Sequence, residues 1–191
     1  MTGLTFHFGT MNSSKTANML MRAYNYRSKG KKILLIKPLC DTRDNNNQIS
    51  ISSRAGQTMN ADLLLSGDIT DISSLLTDVE CVLVDEAQFL SENNIDMLRG
   101  IAMSIPVMCY GLRTDYMSRL FHGSKRLMEV ADTIEEICTV CVGCSRKATI
   151  NAKFISLDNG TRIITKEGST VVDLGAEEKY QPMCWQCWQE G

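Results

Sequence analysis

The stretch Gly9-Thr10-Met11-Asn12-Ser13-Ser14-Lys15-Thr16 nearly spells a phosphate-binding loop. That loop runs glycine, four free positions, then Gly-Lys-Ser/Thr. Gly9, Lys15 and Thr16 fall in place, and Ser14 stands where the second glycine belongs. A glycine-rich turn between a strand and a helix aims backbone N–H groups at an anion, and the helix dipole adds to the attraction. The lysine neutralises the outer phosphates, and the hydroxyl after it can ligate Mg²⁺. The plain alternative is a glycine ending a strand and a surface lysine at a helix start. Ser14 leaves two readings open. If glycine is wanted there for its backbone angles, serine is strained; if a Cβ would crowd the phosphates, serine can fit and add a donor.

The segment Cys81-Val-Leu-Val-Asp85-Glu86-Ala-Gln88-Phe89 supplies what such a loop needs next. Four apolar residues set a strand in the core and deliver Asp85 and Glu86 at its carboxyl end, where open α/β sheets bind ligands. An aspartate there can hold Mg²⁺, and a second carboxylate can receive a proton from an attacking hydroxyl. Standing alone, an Asp-Glu pair is often a solvated turn; coupled to Lys15 and Thr16 across one parallel sheet it points to phosphoryl transfer. In that chemistry positioning and charge neutralisation dominate.

A third constellation lies near the C-terminus. Cys141-Val-Gly-Cys144 and Cys184-Trp-Gln-Cys187 are two CxxC knuckles with 39 residues between them. Four thiolates on two such turns suit tetrahedral Zn²⁺, and a closed set of four cysteines is structural because no coordination position is free. Unpaired buried thiols are the bland reading, and a redox dithiol would not explain two pairs. The clamp would close a long loop in a unit with little core. Cys40, Cys81 and Cys109 are solitary and sit at or inside apolar runs.

These groups need a scaffold, and the chain supplies one. Its 191 residues suffice for one well-packed domain plus a small appendage. Leu4–Phe8 reads as a strand ending at Gly9, followed by a helix from Lys15 to about Arg27, with Leu20, Ala23 and Tyr24 available for burial. Lys32–Lys37, Cys81–Glu86 and Ile105–Leu112 are runs apolar on both faces, as expected of interior parallel strands. Between the last two, Ser91 is a natural N-cap for a helix. Residues 38–56 are polar and read as a long loop. The expected class is α/β: a phosphate-loop parallel-sheet domain over residues 1–138, and a zinc-ribbon-like domain over 139–191. In the latter, "ATINAKFI" and "TRIIT" flank a "DNG" hairpin signal.

A net charge of −2 gives no general electrostatic reason to bind DNA or RNA. The N-terminus has neither the basic start nor the apolar run of a signal peptide. No stretch approaches the roughly 20 apolar residues that cross a bilayer. A cytoplasmic location and no membrane partner are therefore expected, and there cysteines are more often metal ligands than disulfides.

At this point the residues match a known family. The chain resembles the thymidine kinases of the type found in bacteria, vertebrate cytosol and poxviruses (type II) over nearly its whole length. The matching stretches are "GTMNSSKT", "DTR" (Asp41–Arg43), "CVLVDEAQF", "CYGLRTDYMSRLF" (Cys109–Phe121), both CxxC pairs and "LGAEEKY" (Leu174–Tyr180). The resemblance implies transfer of the γ-phosphate of ATP to the 5′-hydroxyl of thymidine, with Glu86 as proton acceptor. Residues Gly9, Thr10, Met11, Asn12, Ser13, Ser14, Lys15 and Thr16 would bind ATP, with Asp85 and Gln88 beside it. Thr16, Asp85 and Asp41 would serve Mg²⁺. An apolar slot for the base would use Met11, Phe89, Leu112, Tyr116 and Phe121, with Asn151 near the base. A closing loop from the zinc domain would carry Leu174, Gly175 and Tyr180. The family is typically a homotetramer inhibited by thymidine triphosphate.

The chain also departs from that pattern at Ser14, at Ala176 in place of a second closing-loop glycine, and at Asn151 where relatives often carry threonine. None touches Lys15, Thr16, Asp85 or Glu86, so an active enzyme is expected, with rate and ATP affinity the properties that Ser14 bears on. Two other readings compete: a catalytically silent thymidine-binding relative disabled by Ser14, and a nucleic-acid-stimulated ATPase carrying a zinc ribbon.

Overall fold

A computed structural model describes residues 2–39, 49–156, 161–168 and 179–191. Asp41, Leu174, Gly175, Ala176, Cys40 and the "DNG" turn lie outside the described residues. The chain begins β1 (Leu4–Phe8), α1 (Lys15–Arg27), β2 (Ile33–Pro38), β3 (Ser50–Ser52), β4 (Thr58–Asn60), β5 (Leu63–Leu65). It continues β6 (Cys81–Val84), α2 (Glu92–Ile101), β7 (Val107–Gly111), α3 (His122–Val130), β8 (Thr133–Glu136). The last elements are β9 (Ile150–Ser156), β10 (Arg162–Thr165), β11 (Tyr180–Met183) and α4 (Trp185–Glu190).

Among the described residues six strands form one parallel sheet in the order β5-β2-β6-β7-β1-β8. Its apolar runs are apolar on both faces because both faces are covered. Leu34, Ile36, Val82 and Val84 face a cluster with Ile95 and Leu98 of α2 and Leu127 of α3. Ile33, Leu35, Cys81 and Leu83 face Met19, Leu20 and Ala23 of α1. Within α1 the expected burial of Leu20 and Ala23 holds, but Tyr24 is 60% exposed and Met19 is buried instead. The helical period explains it: 19, 20 and 23 form one stripe, and 24 falls off its edge. Ser91 caps α2, its hydroxyl accepting from the Asn94 N–H at 3.2 Å.

Part of the expected loop 38–56 is ordered as β3, which pairs antiparallel with β4. Three-residue strands leave too short an alternation to read from sequence. Ile51 is what anchors this one, being fully buried against the α1 face.

The second sheet is antiparallel, in the order β10-β9-β11, as the two β-prone segments suggested. Its core is small: Cys141, Ile150, Ala152, Met183, Cys184 and Trp188.

Candidate active site

The phosphate-like loop leaves β1 at Gly9, whose amide donates to the Gly111 carbonyl at 3.3 Å. A Cβ at Gly9 would collide with the Ile137 carbonyl and the Ser13 hydroxyl, so only glycine fits this close approach. Ser14 is the N-cap of α1 and sits at φ 63°, ψ 28°, in the left-handed region. Asn12 has φ 63° as well. The question posed by Ser14 thus has an answer: the position calls for glycine's backbone angles, and serine meets them at a cost of about 1–2 kcal/mol. Lys15 lies folded over the loop, its Nζ donating to the Thr10 carbonyl at 2.8 Å and to Ser13 Oγ at 3.4 Å.

In the sheet β7 stands between β1 and β6, and all three strands run in the same direction. Their carboxyl ends therefore open on one edge, with the loop on one side and Asp85-Glu86 on the other. Thr16 Oγ1 lies 3.3 Å from both carboxylate oxygens of Asp85 and donates to them. Asp85 is only 5% exposed. Burial first, and then the negative charge of Glu86, push its carboxyl well above the usual range, while Lys15 and Thr16 pull the other way. A buried carboxylate beside a second carboxylate, offset by one lysine, is a donor set that suits a divalent cation.

Glu86 follows at φ 50°, a left-handed non-glycine residue opening a single turn over Ala87–Phe89. That turn brings Gln88 back beside it. Gln88 Nε2 donates to Glu86 Oε2 at 2.6 Å, and Gln88 Oε1 accepts from the Leu112 N–H at 3.0 Å. The Leu112 amide can only donate, so the orientation of the Gln88 side chain follows. Room for it comes from Gly111, where a Cβ would stand 2.6 Å from Gln88 Oε1.

The aromatic residues fall into two groups. Phe89 and Phe121 meet edge to face at 5.7 Å between centroids. Tyr116 and Tyr180 lie 6.3 Å apart, and the Lys153 ammonium stands 4.9 Å from the Tyr116 ring and 5.9 Å from the Tyr180 ring. Tyr116 is 1% exposed. Its hydroxyl donates to the Glu167 carbonyl at 3.4 Å, and a Cβ at Gly168 would collide with it. Asn151 is buried, and both ends of its amide bond backbone: Oδ1 accepts from Met11 N–H at 2.7 Å and Nδ2 donates to Thr114 carbonyl at 3.0 Å. Lys153 was missed from the sequence. The signal was there, since residues 151 and 153 share one face of a strand.

The four knuckle cysteines come together, their Sγ atoms all within 4.8 Å of one another. Cys144 and Cys184 sulfurs are 3.7 Å apart. That matches an edge of a tetrahedron with Zn–S bonds of about 2.3 Å, and is far from the ~2.05 Å of a disulfide. Backbone amides point at the set: Gly143 N–H at Cys141 Sγ (3.3 Å) and Cys187 N–H at Cys184 Sγ (3.4 Å). Arg146, also missed from the sequence, donates from Nε to Cys144 Sγ at 3.4 Å and reaches Gln186 as well. Its hydrogen bond is the main reason the Cys144 thiol is pulled down to about 6. The cluster fits a structural zinc ion, and Arg146 offsets part of the excess negative charge that four thiolates leave.

The profile of the thymidine kinase family matches residues 2–188. The chain belongs to the thymidine kinase family. It is 41% identical over 191 residues to a thymidine kinase of Encephalitozoon cuniculi, covering 98% of this chain and 87% of that one. It is 39% identical over 190 residues to one of Streptococcus pyogenes, covering 96% of this chain and 95% of that one. A thymidine kinase of Streptococcus thermophilus is 40% identical over 194 residues, covering 98% and 94%. Membership makes the chain a kinase, and neither the silent relative nor the nucleic-acid-stimulated ATPase is favoured. Among the described residues no helix is long and apolar enough to cross a membrane.

Proposed function

We propose that this member of the thymidine kinase family transfers the γ-phosphate of ATP to the 5′-hydroxyl of thymidine at the sheet edge between Lys15 and Glu86. The observation that carries the reading is the Thr16 hydroxyl against the buried Asp85 carboxylate, on which Glu86 and Lys15 act with opposite electrostatic sign. Residues 9–16 would cradle the phosphates, and Lys15 would exchange its bond to the Thr10 carbonyl for the outer phosphates. Thr16 and Asp85 would hold Mg²⁺, with Asp41 near it; when bound, the ion neutralises charge on the transferring phosphoryl group.

Glu86 would receive the proton of the 5′-hydroxyl at a carboxylate oxygen as the bond to phosphorus forms. Gln88 holds the other face of that carboxylate by its 2.6 Å bond, which supports the assignment. Met11, Phe89, Leu112, Tyr116 and Phe121 would line the slot for a neutral base, with Leu174, Gly175 and Tyr180 closing it. Residues 1–138 would be the ATP-binding domain, and 139–191 the zinc domain. A homotetramer, located in the cytoplasm and inhibited by thymidine triphosphate, completes the reading on the family resemblance.

The test is Mg²⁺-ATP-dependent phosphorylation of thymidine by the purified protein, with Ser14→Gly and Glu86→Gln alongside. The native chain is expected to turn over, and Ser14→Gly to stay within about tenfold of it, because serine already occupies the left-handed geometry at a cost of only about 1–2 kcal/mol. Glu86→Gln is expected to lose about 10²–10⁴-fold. A native protein inert toward every pyrimidine nucleoside would end the proposal.

A further inference from the structure

The loop that carries Lys15 is an uncommon one to hold in shape, because Asn12 and Ser14 both occupy the left-handed region without being glycine. Such geometry persists only where the surroundings over-determine it. Part of the bracing is internal: the Ser13 amide donates to the Thr10 carbonyl at 3.3 Å, and Lys15 Nζ donates to the same oxygen. The next residue, Met11, is held from outside. Its N–H donates to Asn151 Oδ1 at 2.7 Å across 140 residues of chain.

Asn151 belongs to β9 of the four-cysteine unit and is 4% exposed. The residue before it, Ile150, packs in the same small core as Cys141 and Cys184. The other end of its amide donates to the Thr114 carbonyl, on the segment that leaves β7 and runs toward Tyr116. One partner can only donate and the other can only accept, so an asparagine side chain satisfies both and an aspartate satisfies only Met11. A leucine would keep the volume and leave the half-buried Met11 N–H and the buried Thr114 carbonyl without this partner.

We infer that Asn151 is a positioning residue through which the four-cysteine unit sets the conformation of the phosphate-like loop. The inference rests on the proposed nucleotide binding at that loop for its functional consequence, and on geometry alone for its structural one. Asn151 acts on Met11 and Thr114; it does not act on the reacting atoms.

The experiment compares the zinc-loaded full chain with its Asn151→Leu, Asn151→Ala and Asn151→Asp variants, reading amide hydrogen exchange at Met11 and calorimetric affinity for Mg²⁺-ATP. Asn151→Leu and Asn151→Ala are expected to speed Met11 exchange about tenfold, the weight of one neutral hydrogen bond. They should weaken ATP binding several-fold at unchanged zinc content. Asn151→Asp should keep Met11 protected, a rescue that a merely packing role would not produce. Met11 exchange that is the same in all four proteins overturns the inference, whatever ATP does. Absence of ATP binding in the wild type would instead refute the nucleotide reading, and the exchange comparison would still decide the role of Asn151.

Discussion

The two sheets of this chain solve the problem of stability with different materials. In the parallel sheet every residue of β2 and β6 is buried, with α1 on one face and α2 and α3 on the other. In the antiparallel sheet β10 has no fully buried residue, and two of the six residues of the small core are themselves members of the four-cysteine cluster. Hydrophobic burial suffices for the first, at roughly 25 cal/mol for each Å² of apolar surface removed from water. The second has little of it, and a metal ion held by its four cysteines would supply folding free energy outright, as in other small domains. Difference in material implies difference in vulnerability: the proposed reactive groups stand on the parallel sheet, while Asn151, bonded to their loop, stands on the sheet beside the four-cysteine cluster.

The largest effect expected is on the four-cysteine unit alone. Both tryptophans of the chain, Trp185 and Trp188, lie in α4, so tryptophan fluorescence reports that unit. Chelation of zinc, or Cys184→Ser, should collapse the fluorescence signal of folded α4, since structural zinc is worth about 10–16 kcal/mol in small domains. Far-UV circular dichroism, dominated by α1, α2 and α3, should retain most of its amplitude. Simultaneous loss of both signals would show that the parallel sheet cannot stand without the metal, and the comparison would be broken.

The converse substitution is Leu83→Ala, at a fully buried position in the central strand β6. It should lower stability by about 2–5 kcal/mol. In urea the dichroism midpoint should fall clearly more than the fluorescence midpoint. Equal shifts would mean that the two units unfold as one.

A smaller effect sharpens the picture of the parallel sheet. His7 on β1 is 2% exposed and stacked on Tyr110 at 4.5 Å. Burial, and then Arg22, lower its pKa below the ordinary 6.5, although Glu135 stands 3.1 Å from Nδ1. The unfolded chain therefore takes up this proton first as pH falls. The associated stability is whole above pH 6.5 and is lost as pH drops through that value toward the lowered folded pKa. Denaturation curves followed by dichroism at about pH 7.5 and about pH 6 should show this slope, and His7→Phe should flatten it. An unchanged slope in the variant would assign the dependence to other groups.

Much of this arrangement is written in the sequence, and the reason is that the relevant preferences are local. Runs such as Val82–Val84 and Leu34–Ile36 are apolar on both faces and declare interior parallel strands. The Gly9–Thr16 spacing marks a strand-to-helix turn, and the CxxC knuckles carry their metal chemistry in residue type alone. Asp85 and Glu86 announce themselves by standing where a buried run stops.

Other features were decided only by the tertiary structure. The left-handed angle at Ser14 depends on how α1 leaves the loop, and no residue type near it forces the choice. The meeting of Thr16 with Asp85 spans 69 residues, and it requires the order in which β1, β7 and β6 lie side by side. Gly111 matters because Gln88 folds back over it, and Asn151 because two sheets meet where Met11 and Thr114 emerge. Composition, spacing and period are sums over neighbours along the chain and can be read from it. Pairings between distant backbone groups depend on strand order and packing, so they exist only once the fold has closed.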